Sequence, residues 1–337
     1  MHDAAREREN DATLERAKAA AEEQADDAKV SVNLPQPLHS AYYILLRLPQ
    51  DGNGFEGKES WMDLPATPAD ARLKPYLHNR IMMEKGPDER IFPASMTKIL
   101  TALTVLEHIP DLNRKITISD KNFHYYYADG AAIAGYRAGD TASLLDLLYG
   151  LMLLSGSECA SVLAEETAGG EEAFAALMNG KAAEIGMTSS HFTNPVGLHN
   201  EENYSTVSDI AVLLDYALQN RTFAEIFTSE LYTAAPVGSH PDGLTMRNHI
   251  FRDEESEPEA STPGGTAAPD SDTGSLLGGK TGFLDEAGQC LASLLSKGDV
   301  RFILVTAAAM PRNARTQSLH IDDMRTVLGS IKVFPAS

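Results

Sequence analysis

Cysteine is nearly missing from the 337-residue chain. Cys159 and Cys290 are too few for a disulfide framework, and neither sits in a CxxC or Cys/His pattern that would hold zinc, so both read as half-buried thiols. HExxH, EF-hand, P-loop and GxGxxG patterns are lacking too, which removes the common metal and nucleotide chemistries and leaves no metal ligand or cofactor to expect. No apolar run approaches the ~20 residues of a membrane span. Positive charge is scarce, 28 Lys and Arg against 48 Asp and Glu, and a surface at -20 repels phosphate backbones and anionic headgroups. A nucleic-acid partner is thereby excluded. The opening MHDAAREREND has no apolar core of a secretory signal. What is present, 43% apolar and 23% charged side chains, describes a soluble globular chain able to bury a large core.

Residues 3–29 are rich in Ala, Glu, Arg and Lys and poor in large apolar side chains, as a solvated helix or stalk would be. Residues 253–275 carry seven acids, three prolines and no base, and have nothing to bury, which predicts a disordered acidic loop. More than half of the net negative charge falls in these two segments, so acidity says little about an active face. The chain divides into an N-terminal extension, 1–37, and one body, 38–337. Strand patterns occur at Ala41–Leu48 and Tyr76–Lys85, read together as a hairpin. From Pro93 the period becomes helical, and Met96, Ile99, Leu100, Leu103, Val105 and Leu106 mark a buried helix. Helices are predicted at Leu144–Leu154, Glu158–Thr167, Glu171–Ile185 and Asp209–Leu218, with Gly169, Gly186 and Asn220 as stops, so that about 100–250 is largely helical. Strands return at Cys290–Leu295 and Arg301–Ala307 around the turn Ser296–Asp299, and a last helix starts near Ser318. This order gives an α+β body with a helical insertion.

Three short motifs carry chemistry. Ser95 and Lys98, at i and i+3 just after Pro93, project from one face of the buried helix. A serine hydroxyl becomes a nucleophile when a base takes its proton, and an amine is that base where burial or nearby cations lower its pKa. Free N–H groups of the helix's first turn, Ser95 included, can stabilise an oxyanion. Ser155-Gly156-Ser157 falls at the break between two apolar helices, where a hydroxyl can face a cleft, or where Ser157 caps a helix. Lys280-Thr281-Gly282 offers a cation and a hydroxyl suited to a carboxylate, then a glycine that allows close backbone approach. An S-x-x-K occurs by chance about once in a chain of this length and a K-T-G on the order of 0.1 times, so the last is the most specific.

In this order the three match the motif set of penicillin-binding proteins and class A β-lactamases. The longer strings PASMTKILTAL, LLSGSECASVLAEE, HFTNPVGLHNEENYSTVSDIA and GGKTGFLDEAGQCLAS resemble the D-alanyl-D-alanine carboxypeptidases, from about Tyr76 to Ala309. The resemblance implies an antiparallel sheet flanked by helices, with a helical subdomain supplying the middle motif. It implies Ser95 as nucleophile, Lys98 as its base, Ser155 as proton relay to the leaving D-alanine, Lys280 with Thr281 gripping the terminal carboxylate, and Gly282 and Phe283 as further substrate-binding positions. The N–H groups of Ser95 and Phe283 would form the oxyanion hole. The implied substrate is the peptidoglycan stem peptide, with β-lactams as inhibitors and no cofactor.

Three departures from the family pattern stand out. Ser157 occupies a substrate-binding position where an Asn is usual. The chain ends 57 residues after Lys280, short of the C-terminal β-domain and amphipathic anchor of many relatives. Relatives are exported, so an extracytoplasmic enzyme whose signal is missing from this sequence is expected, tethered if at all from the N-terminal side. Rival readings are a β-lactamase, for which no deacylating glutamate is recognisable between Ser155 and Lys280, and a non-catalytic wall-binding or β-lactam-sensing domain. Arg312 and Arg315 are candidates for a substrate-gripping arginine, against a solvated basic turn. Tyr125, Tyr126 and Tyr127 either line the cleft or pack as an aromatic cluster.

Overall fold

The computed structural model describes residues 29–49, 80–125, 131–256, 274–311 and 317–334. The chain alternates short strands with a helical middle. It runs β1 (Lys29–Val32), β2 (Tyr42–Arg47), β3 (Ile81–Lys85), a 3-10 turn (Ala94–Met96), α1 (Thr97–His108), β4 (Lys115–Thr117), a second 3-10 turn (Asp120–Phe123) and β5 (Thr141–Ser143). Then come α2 (Leu144–Leu153), α3 (Ser157–Ala168), α4 (Glu171–Glu184), α5 (Val207–Ala217), α6 (Arg221–Phe227), β6 (Leu231–Thr233), β7 (Thr245–Arg247) and α7 (His249–Ser256). The chain closes with β8 (Ser275–Leu284), β9 (Gly288–Lys297), β10 (Val300–Ala309), α8 (Leu319–Ser330) and β11 (Ile331–Phe334).

The main sheet has five antiparallel strands in the order β3-β2-β10-β9-β8. Its middle strands are covered on both faces, which is why β9 and β10 read as nearly unbroken apolar runs instead of alternating with polar residues. Ile303, Val305, Ala292 and Leu294 face the helical body, while Phe302, Leu304, Leu291 and Leu295 meet Ile321, Met324 and Val327 of α8. The two-stranded β1-β11 sheet packs onto that second face through Val30, Val32 and Val333. On the first face α1 is buried from Thr97 to Val105, so it runs through the interior instead of lying on it.

The predicted strands and helices fall within a few residues of the observed ones, and β2 and β3 do pair antiparallel. The predicted strand from Tyr76 begins at Ile81, its first residues lying outside the described ones. Asn220 is a start rather than a stop: its side chain accepts from Phe223 N and caps α6. Of the 1–37 extension only 29–37 is described, and Lys29–Val32 belongs to the body as β1. Of the acidic loop, 257–273 lies outside the described residues. Its edges are ordered elements, α7 running to Ser256 and β8 starting at Ser275.

A single carboxylate ties the entry of β2 to α8. Asp323 is 1% exposed and accepts from His39 N and Ser40 N, both at 2.7 Å, and from Ser40 Oγ at 2.6 Å. Removing it leaves three donors without their acceptor, so Asp323→Ala is expected to cost about 3 kcal/mol in urea unfolding. It should leave the cleft chemistry on the other face of the sheet intact, and a loss below about 1 kcal/mol would mean that water replaces the carboxylate.

Candidate active site

The cleft lies between the edge strand β8 and the helical body. Ser95 sits in the 3-10 turn that leads into α1, one residue after Ala94, whose φ of 46° is costly for a residue with a Cβ. The turn places Ser95 and Lys98 on one side, and Lys98 Nζ lies 3.0 Å from Ser95 Oγ. Ser155, at the break between α2 and α3, is also in the left-handed region at φ 61°, and its Oγ is 2.9 Å from Ser95 Oγ. From β8, Lys280 Nζ reaches Ser155 Oγ at 3.1 Å and Thr281 O at 2.9 Å. The main chain of β8 approaches closely because residue 282 is glycine: a Cβ there would stand 2.9 Å from Ser95 N. Thus the structure brings together Ser95, Lys98, Ser155, Lys280, Thr281 and Gly282, with Ser157 and Phe283 lining the same cleft.

These groups form one connected chain. Lys280 N–H donates to Ser155 Oγ, Ser155 O–H donates to Ser95 Oγ, and Ser95 Oγ also accepts from Lys98 Nζ. The Lys98 amine donates as well to Val196 O at 2.7 Å. The Ser95 hydroxyl proton can pass to the amine only where Lys98 is uncharged. The surroundings favour that form. Both lysines are 2% exposed, and desolvation, reinforced by the Lys280 charge, holds the Lys98 pKa well below the ordinary lysine value, with Glu158 and Cys159 opposing. Burial, reinforced by the Lys280 and Arg252 charges, also pushes His249, at the start of α7, down to about 3, so it adds no charge.

Val196 was not legible as a site residue, because a main-chain carbonyl has no side-chain signature. The turn that aims it is legible in retrospect. Asn194 Oδ1 accepts from Val196 N, Gly197 N and Leu198 N, and Thr101 Oγ1 of α1 donates to Pro195 O at 2.7 Å. Ser157 is 1% exposed and its Oγ has no hydrogen-bond partner among the described residues. The rest of the cleft lining is apolar, from Ala131, Val196, Leu198, Phe283 and Leu284. Tyr125 is not part of that lining; it donates to Glu171 Oε2 and packs on His124. Tyr126, Tyr127, Arg312 and Arg315 lie outside the described residues.

Comparison with known proteins points to one family. A family model described as D-alanyl-D-alanine carboxypeptidase matches residues 71–259. A D-alanyl-D-alanine carboxypeptidase of Bacillus subtilis is 29% identical over 242 residues, a match spanning 71% of this chain and 57% of that protein. One from a Streptomyces strain is 31% identical over 270 residues, spanning 75% of this chain and 88% of its own. In fold, the crystal structure of a Streptomyces DD-transpeptidase superposes with a TM-score of 0.64 at 24% identity, covering 89% of this chain and 98% of that one. With the motif strings, the fold and more than half of the sequence in agreement, the chain belongs to the D-alanyl-D-alanine carboxypeptidase family.

Proposed function

We propose that the protein is a penicillin-binding serine D-alanyl-D-alanine carboxypeptidase that acts outside the cytoplasm on peptidoglycan stem peptides, with Ser95 as nucleophile. The observation that carries this reading is the chain from Lys280 through Ser155 and Ser95 to a lysine whose pKa burial has lowered. Neutral Lys98 takes the Ser95 proton as Oγ attacks the carbonyl carbon of the penultimate D-alanine. The oxyanion is received by the N–H groups of Ser95 and Phe283. As the C–N bond breaks, Ser155 gives its proton to the departing amine, and the proton that Lys98 took from Ser95 replaces it, which leaves Lys98 neutral again and Lys280 charged. Lys280 and Thr281 hold the terminal carboxylate through charge-assisted contacts. Water then attacks the acyl-Ser95 ester, neutral Lys98 accepts its proton and returns it to Ser95 Oγ as the ester bond breaks, and free enzyme returns. Attachment to the cell surface from the N-terminal side belongs to the same proposal.

A labelled penicillin should acylate Ser95, read by intact mass and peptide mapping, and a D-Ala-D-Ala peptide should release free D-alanine. Acylation without release would identify a non-catalytic β-lactam binder. Lys98→Met should nearly abolish acylation, and an adduct on another residue would overturn the assignment.

The lowered Lys98 pKa fixes a sign for pH dependence. Acylation should rise with pH through the folded-state pKa and level off below the ordinary lysine range. Between that pKa and the unfolded value of about 10.4, the unfolded chain binds a proton that the folded one does not, so Lys98 makes stability increase with pH. Lys98→Met should remove that part of the slope in urea titrations at several pH values. An unchanged slope would mean that Lys98 is charged when folded.

Ser157 supplies a further test. Its hydroxyl lacks a partner, whereas an amide at this position would offer a donor and an acceptor to the incoming peptide. Ser157→Asn should raise kcat/KM for a D-Ala-D-Ala peptide about tenfold, part of the effect of one positioned hydrogen bond. A folded but slower variant would show that the cleft is adapted to serine.

A further inference from the structure

Three consecutive residues of the middle motif converge on one loop, 131–136. At Gly156 a Cβ would lie 2.8 Å from Ala134 Cβ and 3.1 Å from Ala134 N, so only glycine lets the loop close in. Ser157 N donates to Ala132 O at 2.8 Å. Glu158 Oε1 accepts from Ala134 N at 2.8 Å and Gly135 N at 2.9 Å. That loop brings Ala131 into the lining of the cleft beside Ser157 and Lys98.

Glu158 is an unusual residue to find there. It is 1% exposed, its Oε2 has no partner among the described residues, and burial raises its pKa against the pull of the backbone N–H groups. An acid this deep is retained against its desolvation only where its contacts matter. A deacylating role does not fit this glutamate: its Oε1 accepts from the loop amides, and Ala131 of the loop, rather than the carboxylate, lines the cleft.

We propose that Glu158 is a positioning residue, which by clamping the amides of Ala134 and Gly135 fixes the 131–136 loop, and with it Ala131 in the cleft lining, and so sets how the peptide lies before Ser95. The proposal rests on the peptidase reading above for its kinetic consequence, but the clamp itself can be read without activity. In the full chain, hydrogen–deuterium exchange at Ala134 and Gly135 should accelerate at least about tenfold in Glu158→Ala. It should stay at the parent rate in Glu158→Gln, whose amide oxygen accepts the same two N–H groups. For a D-Ala-D-Ala peptide, Glu158→Ala should raise KM about tenfold with kcat within about threefold, and Glu158→Gln should restore KM. Unchanged exchange in the alanine variant, glutamine behaving like alanine, or a fall in kcat at constant KM would each overturn the proposal. If Glu158→Ala does not fold, Glu158→Gln decides alone: parent-like exchange and KM support the clamp, and faster exchange or a higher KM refutes it. A parent that neither takes up penicillin on Ser95 nor releases D-alanine sinks the peptidase reading instead, and exchange then judges the clamp by itself.

Discussion

Two lysine amines buried in one cleft are the constraint around which the protein is organised. Keeping both charged at 2% exposure would combine two desolvation costs with mutual repulsion. Discharging Lys98 relieves both, and the relief is chemically useful, because a neutral amine beside a hydroxyl is a base. The burial that does this is not local. It requires α1 to pass through the interior with all its sides covered, so the helix that carries the base must be apolar nearly all round. It also requires β8 to close the other side, which the glycine at 282 permits.

The same cleft concentrates unfavourable backbone geometry. Of the three non-glycine residues with positive φ among the described residues, Ala94 adjoins Ser95 and Ser155 is itself a member of the hydroxyl chain. Each costs on the order of 1–3 kcal/mol, a cost that persists only where the surroundings over-determine the conformation. Here the surroundings are the main sheet and the two helices flanking Ser155, with the apolar runs of β9, β10 and α2 buried among them. Stability made in the core is thus drawn on at the site, linking the composition of β9, β10 and α2 to the direction in which one serine hydroxyl points.

How much of this was legible follows from the kind of signal each element leaves. The ten-residue strands β9 and β10 and the helices α2 to α5 are long enough for periodicity to show, and their ends carry readable signals, such as Gly169 after α3 or Thr206 capping α5. The pairs β4-β5 and β6-β7 have three residues in each strand, too few to establish a period of two, and β1 pairs with β11 from the opposite end of the chain. At the site, side-chain motifs were readable and their spacing was informative, because Ser95 and Lys98 share a helical face. The main-chain acceptor at Val196 was not, since any residue supplies a carbonyl and only the turn around Asn194 aims it. Glu158 escaped for a different reason: on α3 it reads as an ordinary first-turn acid, and only the fold turns that acid inward to the loop.

Val196 and Ser157 are two sides of one arrangement. A lysine that must stay neutral still needs its N–H groups satisfied, and a charged or strongly polar side chain brought close for that purpose would disturb the pKa being set. A peptide carbonyl meets the need without a net charge and, anchored through Asn194 and Thr101, without side-chain freedom. With Lys98 held from the 194–198 turn at 2.7 Å, the side chain at 157 is released from supporting the base. Its unpartnered hydroxyl, set among apolar walls, then faces the space a peptide would enter. A short side chain at this position therefore leaves the acid–base chain intact, and any penalty falls on how firmly the peptide is held, which separates the two tasks that one longer amide would otherwise join.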